Sequence, residues 1–174
     1  MKTASRQIAA QLRDVFEATP LQRNAHLSEI YGADILLKRE DLTPVRSYKI
    51  RGAFNAMTNA MKARATSPLF VCASAGNHAQ GVAFMCKYLG VRGRIFMPVT
   101  TPSQKIMKTK TFGGDLIEIK LVGDYFDETL AAAKAYCEAE QGIFLPPFDA
   151  EDVIIGQSTV AAEIEEQLGQ APDL

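Results

Sequence analysis

The sequence of 174 residues contains no tryptophan, only two histidines and only three cysteines. His26 and His78 lie far apart in the chain, which argues against a zinc site built on histidine. Cys72, Cys86 and Cys137 show no paired spacing and lie in apolar or helical contexts, which favours reduced thiols in a cytosolic protein. We therefore expect neither a metal centre nor a disulfide framework.

Long apolar runs and strong net charge are also missing. No apolar stretch approaches the roughly 20 residues of a membrane span, and Arg6, Arg13 and Asp14 interrupt any signal-peptide core. The net charge is -1, and residues 1–64 hold 11 Lys/Arg against 6 Asp/Glu without a dense basic run or interleaved aromatics. We therefore expect neither a membrane nor a nucleic-acid partner, and the length suggests one domain, or one and a part.

Apolar runs and helical stripes alternate along the chain. The predicted helices cover residues 4–18, 47–61, 82–89, 102–111, 124–140 and 157–168. The predicted strands cover residues 34–39, 69–72, 94–99, 116–121 and 142–145. This alternation is typical of an α/β fold with a largely parallel sheet.

Several connecting segments also carry local signals. Thr19-Pro20-Leu21 should end the first helix, because a residue before proline is pushed out of the helical region. Residues 26–32 are predicted to form a short turn or helix, and residues 65–68 a linker. Residues 38–41 alternate cations with anions, which we interpret as a local ion-pair cluster at the end of a strand.

The segment Ser47-Tyr48-Lys49-Ile50-Arg51-Gly52-Ala53 is typical of a helix entry. Ser47 is suited to accept a backbone N–H bond there. Lys49 lies in the first turn, where the helix dipole disfavours a cation, and its face continues only with alanines. A lysine with a lowered pKa suits Schiff-base chemistry, whereas a solvated surface lysine is the alternative interpretation.

A second segment, residues 73–81, connects an apolar strand to a helix. Such a turn lies at the carboxyl end of a strand, where α/β proteins bind ligands. Backbone N–H groups at the helix entrance can bind an anion, and Ser74 and Asn77 add side-chain donors. The alternative is an ordinary βα loop that contains glycine.

The chain resembles the threonine dehydratases, or threonine ammonia-lyases, in three segments: residues 38–42, 47–53 and 74–78. Further matching motifs follow in the family's order: Met97-Pro98, Thr101-Pro102, Phe112-Gly113-Gly114, Gly123-Asp124, Phe126-Asp127-Glu128, Pro147-Phe148-Asp149 and Ile155-Gly156-Gln157. These enzymes use pyridoxal 5'-phosphate. The resemblance implies the parallel-sheet α/β architecture of the fold-type II enzymes, which is like that of the tryptophan synthase β subunit.

The resemblance also implies roles for the two segments. Lys49 would bind the cofactor aldehyde covalently, and its freed amine would remove the Cα proton of the substrate. Asn77 would hydrogen-bond the ring hydroxyl of the cofactor, and Tyr48 would pack near its ring. The substrate carboxylate would be bound mostly by backbone N–H groups of Ser74, Ala75, Gly76, Asn77 and His78. A role for His78 as general base is disfavoured, because Lys49 already supplies the base.

The implied reaction is the dehydration and deamination of L-threonine to 2-oxobutanoate and ammonia, as in isoleucine biosynthesis. L-serine stays open as a substrate, because the two differ by one methyl group, worth about 1–3 kcal/mol. A cytoplasmic homo-oligomer acting on a small amino acid is expected. The alternatives are a non-catalytic α/β fragment and other enzymes of this fold, such as serine racemase, threonine synthase or cysteine synthase; the loop at residues 74–78 favours a dehydratase.

Three parts of the chain are expected by the same resemblance. Residues 1–53 would begin a large domain that carries the lysine, residues 54–150 would form a small α/β domain, and residues 151–174 would return to the large domain. The family binds the cofactor phosphate with a run of glycines, and a serine or cysteine faces the pyridine nitrogen. Both would follow residue 174, so the sequence looks like the N-terminal part of such an enzyme.

Overall fold

The computed structural model describes residues 2–64 and 67–173, so Ala65 and Thr66 of the predicted linker lie outside the described residues. The helices are Lys2–Gln11 (α1), Ala25–Tyr31 (α2), Lys49–Lys62 (α3), Asn77–Leu89 (α4), Ser103–Gly113 (α5), Phe126–Ala139 (α6), Glu151–Gln157 (α7) and Thr159–Leu168 (α8). The strands are Leu21–Arg23 (β1), Leu36–Lys38 (β2), Phe70–Ala73 (β3), Gly93–Met97 (β4), Ile117–Leu121 (β5) and Ile143–Phe144 (β6). None of the helices in the described part of the chain is both long and apolar enough to cross a membrane.

Four parallel strands form the central sheet, in the order β5-β4-β3-β6. All four residues of β3 are buried, as expected for a central parallel strand covered on both faces. Strands β1 and β2 form a separate antiparallel pair. The predicted α/β fold with a largely parallel sheet is therefore confirmed.

Helices cover both faces of this sheet because side chains alternate along each strand. Phe70 and Cys72 join the core that includes α3 and α4, whereas Val71 and Ala73 pack with Ala133 of α6. All three cysteines are buried and free, and burial raises the pKa of each thiol, to about 12 for Cys86. Cys72, Cys86 and Cys137 therefore belong to the apolar core.

Helix α3 is buried on every side over its first half. The predicted apolar stripe is present, since Ile50 and Met57 are fully buried, and residues 51–53 are buried as well. Two glycines allow this packing. A Cβ on Gly81 of α4 would lie 3.2 Å from the backbone of Lys49, and one on Gly156 of α7 would lie 2.5 Å from the carbonyl oxygen of Arg51. Helix α3 is thus held between α4 and α7 at backbone contact distance.

A buried ion network anchors the start of α3. Arg51 is fully buried and binds Glu40 at 2.7 and 2.8 Å and Glu163 of α8 at 2.8 Å from each terminal nitrogen. Lys38 also binds Glu163, at 2.7 Å. Burial would raise the pKa of Glu163, but the hydrogen bonds from Arg51 and Lys38 outweigh it and lower that pKa to about 2. The network joins β2, the turn after it, α3 and α8.

The interpretation of residues 38–41 as a local cluster is therefore correct for one pair and wrong for the other two residues. Arg39 and Asp41 form a local pair at 2.8 Å near the surface. Lys38 binds instead Glu163, far along the chain, and Glu40 binds Arg51, which lies on the next helix. Their partners come from the tertiary fold, so the alternating charges of residues 38–41 could not indicate them.

Several element boundaries also differ from the predictions. Helix α1 ends at Gln11 and continues as a 3-10 turn to Asp14, well before Thr19-Pro20. Helix α4 begins at Asn77, five residues earlier than its apolar stripe indicated. The predicted last helix is α8, preceded by the unpredicted helix α7, whose N-cap residue Ala150 has no side chain that could signal a start. Strand β1 was not predicted either, because its three residues have no alternation.

The predicted division into three parts stays a prediction. Helix α3 runs without interruption across residues 53 and 54, where the first boundary was placed. The largest buried apolar cluster contains Leu12, Met85 and Val153, one residue from each predicted part.

We expect Arg51→Met to lower the free energy of unfolding by about 3–5 kcal/mol, because the half-buried Glu40 and the buried Glu163 would lose the guanidinium group that lies between them. Denaturant unfolding monitored by circular dichroism measures the change. Arg23→Met is the matched control, since Arg23 and Asp34 form an exposed pair at 2.7 Å worth about 0–1 kcal/mol. Equal losses in the two variants would contradict a central role for the buried network.

Candidate active site

The turn that precedes α3 fixes the backbone of Lys49. Thr43 Oγ1 accepts the Ser47 N–H at 2.9 Å and donates to the Ser47 carbonyl at 3.0 Å. Ser47 Oγ in turn accepts the Lys49 N–H at 3.3 Å, but the N-cap residue of α3 is Tyr48 and its side chain makes no capping bond, so the prediction of Ser47 as the cap is wrong by one residue. Arg46 has a φ of 58°, which is uncommon for a residue other than glycine. Hydrogen bonds therefore hold an irregular turn in one conformation directly before the lysine.

The side chain of Lys49 is half-buried and oriented. Its Nζ donates to the carbonyl oxygen of Pro147 at 2.7 Å and lies 5.4 Å from the centre of the Tyr48 ring. Tyr48 itself is 43% exposed, so its ring is free on another side. This lysine is thus held by a neutral carbonyl group and an aromatic ring, and it is not a freely solvated surface lysine.

The loop before α4 is also ordered by local bonds. Ser74 donates its N–H to Phe96 of β4 at 3.0 Å, and Ser74 Oγ accepts the Gly76 N–H at 3.1 Å. Among the described residues, no side chain caps α4 and no acidic side chain lies in its first turn. The N–H groups of that turn therefore remain available to an anion.

The fold brings this loop next to Lys49. The loop follows β3 at its carboxyl end, where parallel sheets bind ligands. Helix α4, which follows the loop, contacts α3 at Gly81. A Cβ added to Gly81 would lie 3.2 Å from the backbone of Lys49. Asn77 is exposed at the first position of α4, and Ala75 and Gly76 are partly exposed before it. All the residues predicted for the site thus come from two adjoining helix starts.

His78 differs from the other loop residues because its ring is buried. Its Nε2 donates to the carbonyl oxygen of Leu145 at 3.0 Å, and its Nδ1 has no partner among the described residues. Burial, with a smaller contribution from the charge of Lys49, lowers the pKa of His78 to about 4, against the opposing effect of the bond to Leu145. The ring is therefore neutral at physiological pH, which argues against its use as a general base there.

The sequence analysis did not identify the carbonyl groups of Leu145 and Pro147, which accept the hydrogen bonds of His78 and Lys49. A backbone acceptor has no side-chain signature, and Pro147 was noted only as part of a matching motif. Gly81 was also missed, although a glycine in a helix interior costs about 1 kcal/mol relative to alanine and therefore signals a close approach. Among residues 2–64 and 67–173, no group of three or more histidine, cysteine, aspartate or glutamate residues could hold a metal ion.

Comparison with known proteins tests the family assignment. A family model described as "Pyridoxal-phosphate dependent enzyme" matches residues 12–174. The chain belongs to this family. The predicted membership of the pyridoxal-phosphate-dependent enzymes, and with it the cofactor, is therefore confirmed.

Two of the proteins that are similar to this chain are named as a threonine dehydratase and a threonine deaminase. The chain is 52% identical over 161 residues to the biosynthetic L-threonine dehydratase IlvA of Bacillus subtilis, covering 92% of this chain and 38% of that protein. It superimposes on threonine deaminase isoform 2 of Solanum lycopersicum with a TM-score of 0.84 and 38% identity, covering 95% of this chain and 45% of that one. The chain thus spans less than half the length of these relatives.

Maize serine racemase provides a third comparison, with a TM-score of 0.86 and 24% identity over 96% of this chain and 50% of that chain. At this identity the similarity shows the shared fold alone. The fold-type II architecture is therefore confirmed, and the sequence identities place the chain nearer to the threonine dehydratases than to this racemase.

The described residues fit one end of the family's cofactor. Lys49 offers an amine for the aldehyde, and the free N–H groups at the start of α4 suit a carboxylate. The glycine run expected for the phosphate is not present in this sequence, whose single Gly-Gly pair, Gly113-Gly114, ends α5. The described residues thus offer an amine and a set of N–H groups that are suited to an aldehyde and to a carboxylate.

We expect the free energy of unfolding to fall as the pH is lowered from about 6.5 to about 4, because the unfolded state protonates His78 and the folded state does not. His78→Gln should make this slope shallower by up to about 1.4 kcal/mol per pH unit. Denaturant unfolding at a series of pH values measures the slope, with His26→Gln on the exposed face of α2 as the control. The same change in both variants would contradict the assignment to His78.

Proposed function

We propose that this chain forms the lysine-bearing part of a cytoplasmic L-threonine dehydratase that produces 2-oxobutanoate and ammonia for isoleucine biosynthesis. One observation carries the proposal: α4, which has an uncapped N-terminal turn at the carboxyl end of β3, packs against the backbone of Lys49 at Gly81, and the charge of Lys49 acts on His78 in that turn. An amine next to an anion site suits an α-amino acid, which presents both an amino group and a carboxylate. The 52% identity to a biosynthetic L-threonine dehydratase supports the choice of reaction.

Each predicted residue has a task in this proposal. Pyridoxal phosphate, when bound, supplies an aldehyde that attaches amines and a ring that accepts electrons. Lys49 holds the cofactor and, once released, uses its Nζ to take the proton from the substrate Cα. Tyr48 packs beside the ring with its exposed face, and Asn77 donates to the ring hydroxyl group.

The loop residues bind and orient the substrate. Backbone N–H groups at the α4 start receive the substrate carboxylate, and the helix dipole favours that charge. Of the five predicted residues, Ala75, Asn77 and His78 offer their N–H groups, whereas those of Ser74 and Gly76 are bonded to the Phe96 carbonyl and to Ser74 Oγ. Ser74 also keeps the loop in shape through its bond to Gly76. Threonine is proposed as the preferred substrate over L-serine because the named relatives act on threonine. A homo-oligomeric assembly stays a prediction.

We expect Lys49→Ala to abolish turnover of L-threonine in the full-length protein and to remove the absorbance of the attached cofactor. Loss of both the attachment point and the base should lower kcat by at least ~10²–10⁴-fold. Steady-state kinetics and absorbance spectra measure the two effects. Lys62→Ala, on an exposed part of the same helix, is the matched control, and a Lys49→Ala enzyme with wild-type turnover would contradict the proposal.

We expect Ser74→Ala to raise KM for threonine and Asn77→Ala to raise the Kd of the cofactor. Each change removes one neutral hydrogen bond, so about 0.5–1.5 kcal/mol should be lost. Kinetics and cofactor titration in the full-length enzyme separate the two effects, with Ser103→Ala at the exposed start of α5 as the control. Wild-type values in both loop variants would exclude this loop as the substrate site.

A further inference from the structure

The segment Leu145–Pro147 connects His78 to Lys49, and we refer to it as the strap. Its first residue, Leu145, is buried and donates its N–H to the Val71 carbonyl of β3 at 2.8 Å. The carbonyl of Leu145 accepts the bond from His78 Nε2 at 3.0 Å. Both polar groups of this backbone unit are therefore fixed, one by the sheet and one by the first turn of α4.

Two prolines transmit this fixed position to Lys49. Pro146 and Pro147 each have φ restricted by their rings, so the strap has few conformations available. The carbonyl oxygen of Pro147 receives the Lys49 Nζ at 2.7 Å. The two prolines thus link the Leu145 carbonyl, which His78 binds, rigidly to the Pro147 carbonyl, which binds the Lys49 amine.

We propose that His78 is a positioning residue for Lys49, which it orients through the strap and without touching the amine. Its importance for catalysis depends on the proposed function, in which the amine of Lys49 must be aimed at the cofactor aldehyde and at the substrate Cα. The proposal concerns the imidazole ring only, and it is separate from the backbone N–H that the loop offers to a substrate.

The chemistry of the site favours a positioning role over simple core filling. An apolar side chain would fill the buried space without the cost of desolvating a ring that has one unpartnered nitrogen. A neutral imidazole has a single N–H, and here that donor goes to the strap. Without it, the Leu145 carbonyl would lose its side-chain partner and the strap would be held from one side only.

The test measures the reactivity of Lys49 in the cofactor-free full chain, by reductive methylation with ¹³C-formaldehyde and assignment of each dimethyl-lysine signal by NMR. The amine must leave the Pro147 carbonyl before it can attack the reagent. We expect His78→Leu to increase the methylation rate of Lys49 about 3–10-fold, the loss of roughly one neutral hydrogen bond. The rates of Lys62 and the other lysines should stay unchanged.

Three further variants separate positioning from general loosening of the fold. His78→Gln keeps an N–H donor and should restore the wild-type rate at Lys49. Thr129→Val removes a buried bond of 2.7 Å to the Val122 carbonyl, remote from the strap, and should leave the rate at Lys49 unchanged. Pro146→Gly leaves the His78 bond in place but loosens the strap, and should raise the rate as His78→Leu does; it decides the matter if His78→Leu does not fold.

An unchanged Lys49 rate in a folded His78→Leu variant would overturn the proposal, as would equal increases at all lysines or a Gln variant that behaves like the Leu variant. The measurement requires no cofactor, so its outcome is independent of turnover. If Lys49 responds as expected but the full-length enzyme does not act on threonine, the strap is upheld and the proposed function fails. If the full-length enzyme acts on threonine but the Lys49 rate does not respond, the positioning role of His78 is wrong and the proposed function stands.

Discussion

The buried guanidinium group of Arg51, held between the carboxylates of Glu40 and Glu163, fixes where helix α3 lies. A buried charge without a partner is strongly destabilising, so the three segments that carry these groups must meet for any of them to be buried. Arg51 follows Lys49 by two residues, on the same helical turn. The position of the reactive amine therefore depends on an ion network that takes no part in the chemistry.

Close backbone contacts with α4 and α7 further fix the position of α3. Gly81 and Gly156 let α4 and α7 approach α3 from two sides, and neither position has room for a methyl group without a shift. The approach through Gly81 sets the distance between the backbone of Lys49 and the uncapped first turn of α4. The strap adds a third constraint by holding the amine itself, so Lys49 is fixed in backbone position and in side-chain direction by separate parts of the fold.

Much of this fold was predictable because its signals are local. Each buried strand shows as a short apolar run, and the turn before α4 shows as small polar residues between a strand and a helix. The residues of the candidate site could be named from the sequence for the same reason, since Lys49 and the loop lie in contiguous motifs; their roles stay predictions. Resemblance to a known family then gave these motifs a chemistry that periodicity alone left open.

The rest was not predictable because it depends on partners distant in sequence. Glu163 lies more than 100 residues from Arg51, so the alternating charges at residues 38–41 suggested only a local cluster. The bond between Lys49 and Pro147 spans 98 residues and uses a backbone oxygen, which leaves no mark in the sequence. Helix α7 lacks a capping side chain at its start, so its beginning carried no local signal either.

Covalent trapping of the cofactor identifies the lysine that carries it. The full-length protein is incubated with pyridoxal phosphate, reduced with borohydride, digested and mapped by mass spectrometry. We expect one modified residue, Lys49, and a loss of labelling when threonine is added before reduction. A label on another lysine, or no label on a folded protein, would contradict this expectation.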